Sequence, residues 1–356
     1  MSVFNGKKLY IEIVGESHAE KMTATLKGFP ELKIDEEKLR SFTERRKPNA
    51  ALFSTPRKES DNPVFSGLDG LKTTDSFSFD IFNENVKKSD YSPLYGKPRP
   101  SHADYARYLK DGSLDFSGGG RFSGRMTAPL CVIGGLCMQY LNEKGVFIAA
   151  YVSRTGKVEG LSYKKKSVGY EEVLKKREGI YPSLSDKEEM IKEIESAAND
   201  GDSVGGIVEC IAYGLKGGVG DNLFSGLESK ISSLLYAIPG VKGVEFGEGF
   251  GFGELRGSDA NDGLFYSDGK VRFYGNRSGG INGGISNGQP ITLSVAIRPT
   301  PSIQKPQKTV DLVNQENVEI TVCGRHDACI VPRAIPCVES AVAIALTDEI
   351  LSENYE

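Results

Sequence analysis

The backbone of this chain must turn tightly more often than most, because glycine supplies 42 of its 356 residues, about 12% against a usual value near 7%. Glycine and proline together reach about 16%, below the roughly 25% that marks low complexity. The excess glycine therefore serves local turns and close backbone approach. Two glycine-rich segments, 118–124 and 279–288, fall in the two halves of the chain and hint at an internal duplication. Apolar periodicity predicts strands over 7–14, 76–82, 146–152, 204–215, 241–246 and 291–298. It predicts helices over 35–46, 102–110, 127–142, 186–199, 222–238 and 336–351, with Asp35 as an N-cap and Pro336 in the first turn of the last. These do not alternate as clean βαβ units, so the expected class is α+β and not a doubly wound sheet. No linker-like composition divides the chain, and one domain over 1–356 is expected.

Hydrophobic residues are 38%, charged residues 26%, and the formal net charge is −4. That balance suits a chain with a sizeable core and argues against disorder or a basic nucleic-acid binder. The longest apolar stretches, near 128–141 and 334–346, are interrupted and shorter than the roughly 20 residues of a membrane helix. The opening MSVFNGKKLYIEIV lacks the apolar core of a signal peptide. Six cysteines, at 131, 137, 210, 323, 329 and 337, show no CxxC spacing and read as reduced thiols. A cytoplasmic protein without membrane or nucleic-acid partners is expected.

Only three histidines are present, and each lies in a polar, turn-rich segment: Glu16-Ser17-His18, Pro100-Ser101-His102-Ala103-Asp104 and Arg325-His326-Asp327. One such histidine is ordinarily a solvated loop residue. Three of three beside Ser, Asp or Arg point to acid–base chemistry near neutral pH. Ser101 and Asp104 also fit a capping box that opens a helix. If the third segment is extended, Arg325 and Asp327 point one way and His326 the other. Arginines recur in Gly-, Pro- or Ser-rich turns: Arg45, Arg46, Arg57, Arg99, Arg121, Arg125, Arg298 and Arg325. Arginine forks bind carboxylate and phosphate, and neighbouring glycines let backbone N–H groups approach the same anion. The residues thus predict a site for a small polyanion with histidines at its edge. No phosphate-loop or dinucleotide fingerprint is present. A metal site of His18, His102 and Asp104 or Asp327 is the competing reading.

Taken in order, GESHAEKM (15–22), ERRKP with TPRKESD (44–48, 55–61), RPSHADY (99–105), SGGGRFSGR (117–125), GDSVGG (201–206), GVKGVEFGEGF (240–250), LRGS (255–258), NRSGGINGGIS (276–286), RPTPSI (298–303) and GRHDACIVPRAIP (324–336) resemble the chorismate synthase family over nearly the whole chain. The resemblance implies a β-α-β sandwich with an internal pseudo-twofold repeat and a homotetramer. It implies a lyase that eliminates phosphate from 5-enolpyruvylshikimate 3-phosphate to give chorismate, ending the shikimate pathway, with reduced FMN required. By the same resemblance, Arg45, Arg46, Arg99, Arg125 and Arg325 would bind substrate. Arg121, Phe122, Ser123, Asp259, Ala260, Gly283, Arg298, Pro299, Thr300, Pro301, Ser302 and Arg325 would hold FMN. His18 would protonate the departing phosphate, with Ser17 in a relay with Asp327. Asp327 would serve flavin N5, and His102 would steady the reduced flavin's charge; Ser123 joins this catalytic set. Either NADPH, with Arg46 the residue associated with it, or an external reductant would reduce the flavin. No metal is implied. The chain departs from the family pattern at Ala19, Lys47, Phe122, Gly124, Asp259, Ala260, Arg277 and Arg298, and at Leu52, where many members have an arginine. A relative that binds flavin or a phosphorylated ligand without this catalysis is the alternative that Leu52 keeps open.

Overall fold

The computed structural model describes residues 1–52, 54, 59–84, 94–116, 118–322 and 327–353. Its first half builds one five-stranded antiparallel sheet from β1 (Ser2–Asn5), β2 (Tyr10–Val14), β3 (Lys21–Lys27), β4 (Val64–Ser66) and β5 (Ser76–Phe82), in the order β1-β2-β3-β5-β4. Strand β5 reads SFSFDIF, and its alternation turns Phe77, Phe79 and Ile81 inward. Helix α1 (Glu36–Glu44) opens on Asp35, whose carboxylate accepts the Lys38 N–H at 3.0 Å. Helix α2 (Asp104–Asp111) borders the cleft described below, and α3 (Thr127–Glu143) is apolar on nearly every face.

The second half adds β6 (Phe147–Thr155), β7 (Val158–Glu159), α4 (Tyr170–Lys176), α5 (Lys187–Asn199), β8 (Gly206–Tyr213), α6 (Leu227–Tyr236), β9 (Val241–Phe246) and α7 (Gly257–Ala260). Two hairpins follow, β10 (Leu264–Ser267) with β11 (Lys270–Phe273) and β12 (Ile281–Asn282) with β13 (Ile285–Ser286). Strand β14 (Ile291–Ile297), the hairpin of β15 (Gln307–Asp311) and β16 (Glu316–Ile320), and α8 (Val331–Ser352) complete the chain. The second sheet is antiparallel in the order β7-β6-β8-β14-β9. In each sheet the last strand in chain order lies between the third and the fourth, and a long helix follows. This is the expected α+β sandwich with related halves, and α3 and α8 form its middle layer.

The main core joins both sheets and that helical layer. Both faces of β6 are covered, which is why its sequence runs apolar without alternation. Ile148, Ala150 and Val152 face the main core, while Ala149 and Tyr151 pack under Val168, Val173 and Leu184. The 154–200 segment therefore roofs the second sheet. Its Arg177 reaches through to the Ala150 carbonyl at 2.8 Å and to Glu339 of α8 at 2.6 Å. Helix α8 is buried almost throughout, and its carboxylates are paired. Asp348 accepts the N–H groups of Lys7, Lys8 and Leu9, each at 2.8 Å, and Glu349 accepts from Lys7 and Lys230.

Three local expectations are corrected. The strand expected over 7–14 is β2 and begins at Tyr10, because residues 6–9 form a turn held on Asp348. Ser101 and Asp104 form no capping box: α2 is capped at Ala103, and Asp104 is engaged by Arg99 and His102. Pro336 lies inside α8, whose first turn carries Pro332. Among the described residues, no helix is long and apolar enough to cross a membrane.

The middle layer depends on Gly134. A Cβ there would overlap Ser340 of α8, its Cα included. Gly134→Ala is expected to destabilise the protein by about 1–3 kcal/mol, the range for overpacking a filled core, read as a lower denaturant midpoint with unchanged slope.

Candidate active site

A cleft of about 720 Å³ collects turns from both halves and the start of α8. Its described walls carry six arginines (Arg46, Arg99, Arg121, Arg125, Arg298 and Arg333) and two lysines (Lys47 and Lys242). Against them stand three carboxylates, Glu59, Asp61 and Asp327. This positive excess, in a chain of net charge −4, gives the cleft an affinity for anions.

The glycine-rich segment forms one wall. Gly118 and Gly120 adopt φ of 72° and 51°, which L side chains enter only at a cost. They lead into two short 3-10 turns, Gly120–Phe122 and Gly124–Met126. Ser123 joins the turns, and its Oγ accepts the Arg125 N–H at 3.2 Å. Ser17 and His18 pack behind this wall. The Ser17 N–H donates to the Gly120 carbonyl at 3.3 Å, and Ser17 Oγ meets His18 Nδ1 at 3.0 Å. A Cβ on Gly118 would collide with the His18 ring, so glycine there makes room for the imidazole. Arg121 lies over the Phe122 ring, 5.2 Å from its centroid, and pairs with Asp111 at 3.1 Å.

Arg46 and Arg125 share one buried carboxylate, Asp61, one guanidinium on each oxygen. Arg125 also donates to Asn83 Oδ1 at 2.9 Å and lies 3.8 Å from Glu59. Burial raises the Asp61 carboxyl, but the two guanidiniums outweigh it and hold the group below the usual carboxylate range. Asp61 and Ser101, both in the cleft wall, have positive φ (54° and 57°), strained backbone of the kind that gathers at functional sites.

His102 and Arg99 converge on Asp104. Arg99 donates to Asp104 at 2.7 and 2.9 Å and to the Gly118 carbonyl at 2.8 Å, so its fork braces the wall. His102 Nδ1 lies 2.6 Å from Asp104 Oδ1, which makes Nδ1 the donor and leaves Nε2 for chemistry. Burial opposes ionisation of Asp104, yet the bonds from His102 and Arg99 bring its pKa down to about 2. An unfolded aspartate titrates near 3.9. This contribution to stability is therefore full above about pH 4 and is lost as pH falls through about 2. In Asp104→Asn the acid limb of a stability–pH profile is expected to flatten across that window.

The opposite wall holds Asp327, which accepts from Arg333 Nη1 at 2.6 Å, and the turn Arg298–Ser302. Arg298 reaches across to the Ser101 carbonyl at 2.6 Å, linking the halves. Of the expected residues, His102, Asp327, Ser123, Arg46, Arg99, Arg121, Phe122, Arg125, Arg298, Pro299, Thr300, Pro301 and Ser302 line the cleft, and Ser17 and His18 adjoin it. Arg325 and His326 lie outside the described residues. Arg45 is not in the wall: its guanidinium pairs with buried Glu339 at 2.6 Å. Asp259 and Ala260, on α7, and Gly283, in the β12–β13 turn, also lie off this cleft. Leu52 is 4% exposed and belongs to the core. Asp61, Arg333 and Lys242 were not singled out from the sequence, although all three stand inside the motifs quoted above. Among the described residues, no three His, Cys, Asp or Glu side chains are grouped to hold a metal ion.

The sequence model of the family described as chorismate synthase matches residues 9–351. A chorismate synthase of Thermococcus kodakarensis is 41% identical over 350 residues, covering 97% of each chain. One from Pyrococcus abyssi is 42% identical over 350 residues, again covering 97% of each. A crystal structure of chorismate synthase is similar with a TM-score of 0.77 at 26% identity, covering 98% of this chain and 93% of that one.

Proposed function

Because the chain belongs to the chorismate synthase family, we propose that its cleft binds 5-enolpyruvylshikimate 3-phosphate and eliminates phosphate to give chorismate, with reduced FMN as cofactor. This is carbon–oxygen lyase chemistry and the last step of the shikimate pathway toward aromatic amino acids. The observation that carries the proposal is the cleft's six arginines and two lysines over three carboxylates, with a histidine pinned at each edge. The substrate has two carboxylates and a phosphate, and burying that charge requires paired cations.

The residues also fit FMN. The Thr300 hydroxyl is buried in the cleft wall and has no hydrogen-bond partner among the described residues, which suits a phosphate or ring oxygen of a ligand. Arg298 and Arg121 would take the FMN phosphate, with Phe122, Ser123 and Pro299–Ser302 beside it. Bound there, reduced FMN would lend electron density to the breaking C–O bond and recover it as the ring hydrogen leaves. Arg46 and Arg125, with Arg325, hold substrate anions. Arg99 keeps Asp104 ionised, and Asp104 fixes the tautomer of His102, which stabilises negative charge on the cofactor side. His18, oriented by Ser17, donates a proton to the departing phosphate and makes it a better leaving group. Asp327, set by Arg333, stands as the proton acceptor on the cofactor side.

Asp259, Ala260 and Gly283 contact the cofactor only if a second copy presents them. The homotetramer we propose would cover the exposed Leu223, Phe224, Phe250, Tyr266 and Tyr274. The protein would work in the cytoplasm, with NADPH or an external reductant supplying electrons and Arg46 the candidate NADP contact.

The test is chorismate formation under anaerobic conditions. Turnover is expected with chemically reduced FMN and none with oxidised FMN or without flavin. Equal turnover without flavin, or turnover dependent on a metal, overturns the proposal.

A further inference from the structure

Two thiols meet beneath the cleft floor, and the chemistry above uses neither. Cys131 of α3 and Cys337 of α8 place their Sγ atoms 3.7 Å apart. Cys337 borders the cleft and is 3% exposed, while Cys131 lies behind it, fully buried. One turn further along each helix, Gly134 meets Ser340 so closely that no Cβ fits between them. That approach brings the two backbones near where a disulfide needs them, with Cα atoms about 4.4–6.8 Å apart.

The surroundings divide the labour between the sulfurs. A hydrogen bond from Cys131 lowers the Cys337 thiol, burial opposes this, and Thr127, Arg46 and Arg333 add to the lowering; its pKa falls to about 7. Burial and its neighbour push Cys131 well up. Cys337 borders the cleft, so a reagent there meets its sulfur first and makes it the nucleophile, while Cys131, behind it, is placed to close the bond. The remaining described cysteines, Cys137, Cys210 and Cys329, are buried, and none lies in sulfur–sulfur contact among the described residues.

We infer that Cys131 and Cys337 form a reversible oxidation site, in which a hydroperoxide that enters the cleft oxidises Cys337 and Cys131 then closes a disulfide. The Cys337 thiolate attacks a peroxide oxygen, the O–O bond breaks, and the hydroxide released takes a proton to become water. Cys337 is left as a sulfenic acid. The Cys131 sulfur attacks it, the S–O bond breaks, and hydroxide leaves with the Cys131 proton as a second water. Two thiols lose two electrons and two protons, and one hydrogen peroxide becomes two waters. Closing the bond draws sulfurs now 3.7 Å apart to about 2.05 Å. It thereby ties α8 to α3 beneath Arg46, Arg333 and Ala334, so oxidation reshapes the cleft floor.

The experiment uses the full chain, reduced and then treated with hydrogen peroxide. Samples are denatured, their thiols titrated and their peptides mapped by mass. Two of the six thiols are expected to disappear, with a loss of two hydrogens per chain, in one cross-linked peptide joining residues 131 and 337. Dithiothreitol should restore both. In Cys131→Ala the cross-link is expected to vanish, and Cys337 should instead be trapped by a sulfenic-acid reagent. Retention of all six thiols in the wild-type chain, a cross-link between other cysteines, or direct conversion of Cys337 to sulfinic acid overturns the inference. The wild-type peptide map decides the question even if the variant does not fold.

Discussion

Replacement of His18 or of His102 by alanine is expected to slow chorismate formation by about 10²–10⁴-fold each, the range for a lost proton donor or acceptor. The two losses should differ in kind, because the two rings are pinned by different partners. His18 is held through Nδ1 by Ser17, behind the glycine-rich wall. Its loss should slow the elimination step while flavin affinity survives. His102 is held through Nδ1 by Asp104, in the cleft itself. Its loss should alter the spectrum or protonation of bound reduced flavin. Single-turnover kinetics with reduced FMN, followed in the flavin absorbance, separate these outcomes. A near-normal His18→Ala protein would show that the proton reaches phosphate from another group.

Gly118 offers a check on the same assignment from the backbone side. The His18 ring occupies the space where a Cβ on Gly118 would project, so a methyl group there displaces the imidazole without removing it. If His18 acts by position, Gly118→Ala should resemble His18→Ala in turnover.

How much of this was legible in the sequence follows from the range of the interactions. Strand β5 was readable to the residue because one face is buried and the alternation of Ser and Phe records it. Strand β6 was readable as a strand, but its covering layers were not, since a run buried on both faces carries no period. The α8 helix was expected to start at Pro336 and starts at Val331, because proline is tolerated in a first turn and the sequence offered two candidates for it. Strands β1 and β3 escaped because short edge and motif-bearing segments resemble turns until a partner strand is in place. At the site, motif order identified most of the cleft wall. It could not separate Arg45 from Arg46, yet adjacent residues near a helix end point about 100° apart. One of the two had to leave the cleft, and Arg45 turns to Glu339. The union of Arg46, Asp61 and Arg125 was invisible for a different reason. It joins residues 15 and 64 positions apart, and no local pattern encodes such a meeting.

That union sets the second large effect, the loss expected in Arg125→Ala. Arg125 is buried, its fork is divided between Asp61 and Asn83, and Glu59 lies within 4 Å. Removing one partner of a buried charge-assisted pair costs about 2–5 kcal/mol, which is a loss of about 30- to 4,000-fold in substrate affinity. The fold should survive, because Arg46 still pairs with Asp61 when Arg125 is gone. The variant then tests binding and not stability. Lysine at the same position restores the charge but not the fork, so Arg125→Lys should recover only part of the loss. The cationic excess of the cleft also predicts a salt dependence. Added salt should raise KM more steeply in the wild-type protein than in Arg125→Ala, because one of the cations that draws the anion in has been removed. Kinetics of Arg125→Ala equal to wild type, with unchanged salt dependence, would place the substrate's anionic groups elsewhere in the cleft and assign the Arg46–Asp61–Arg125 cluster to the structure of the wall alone.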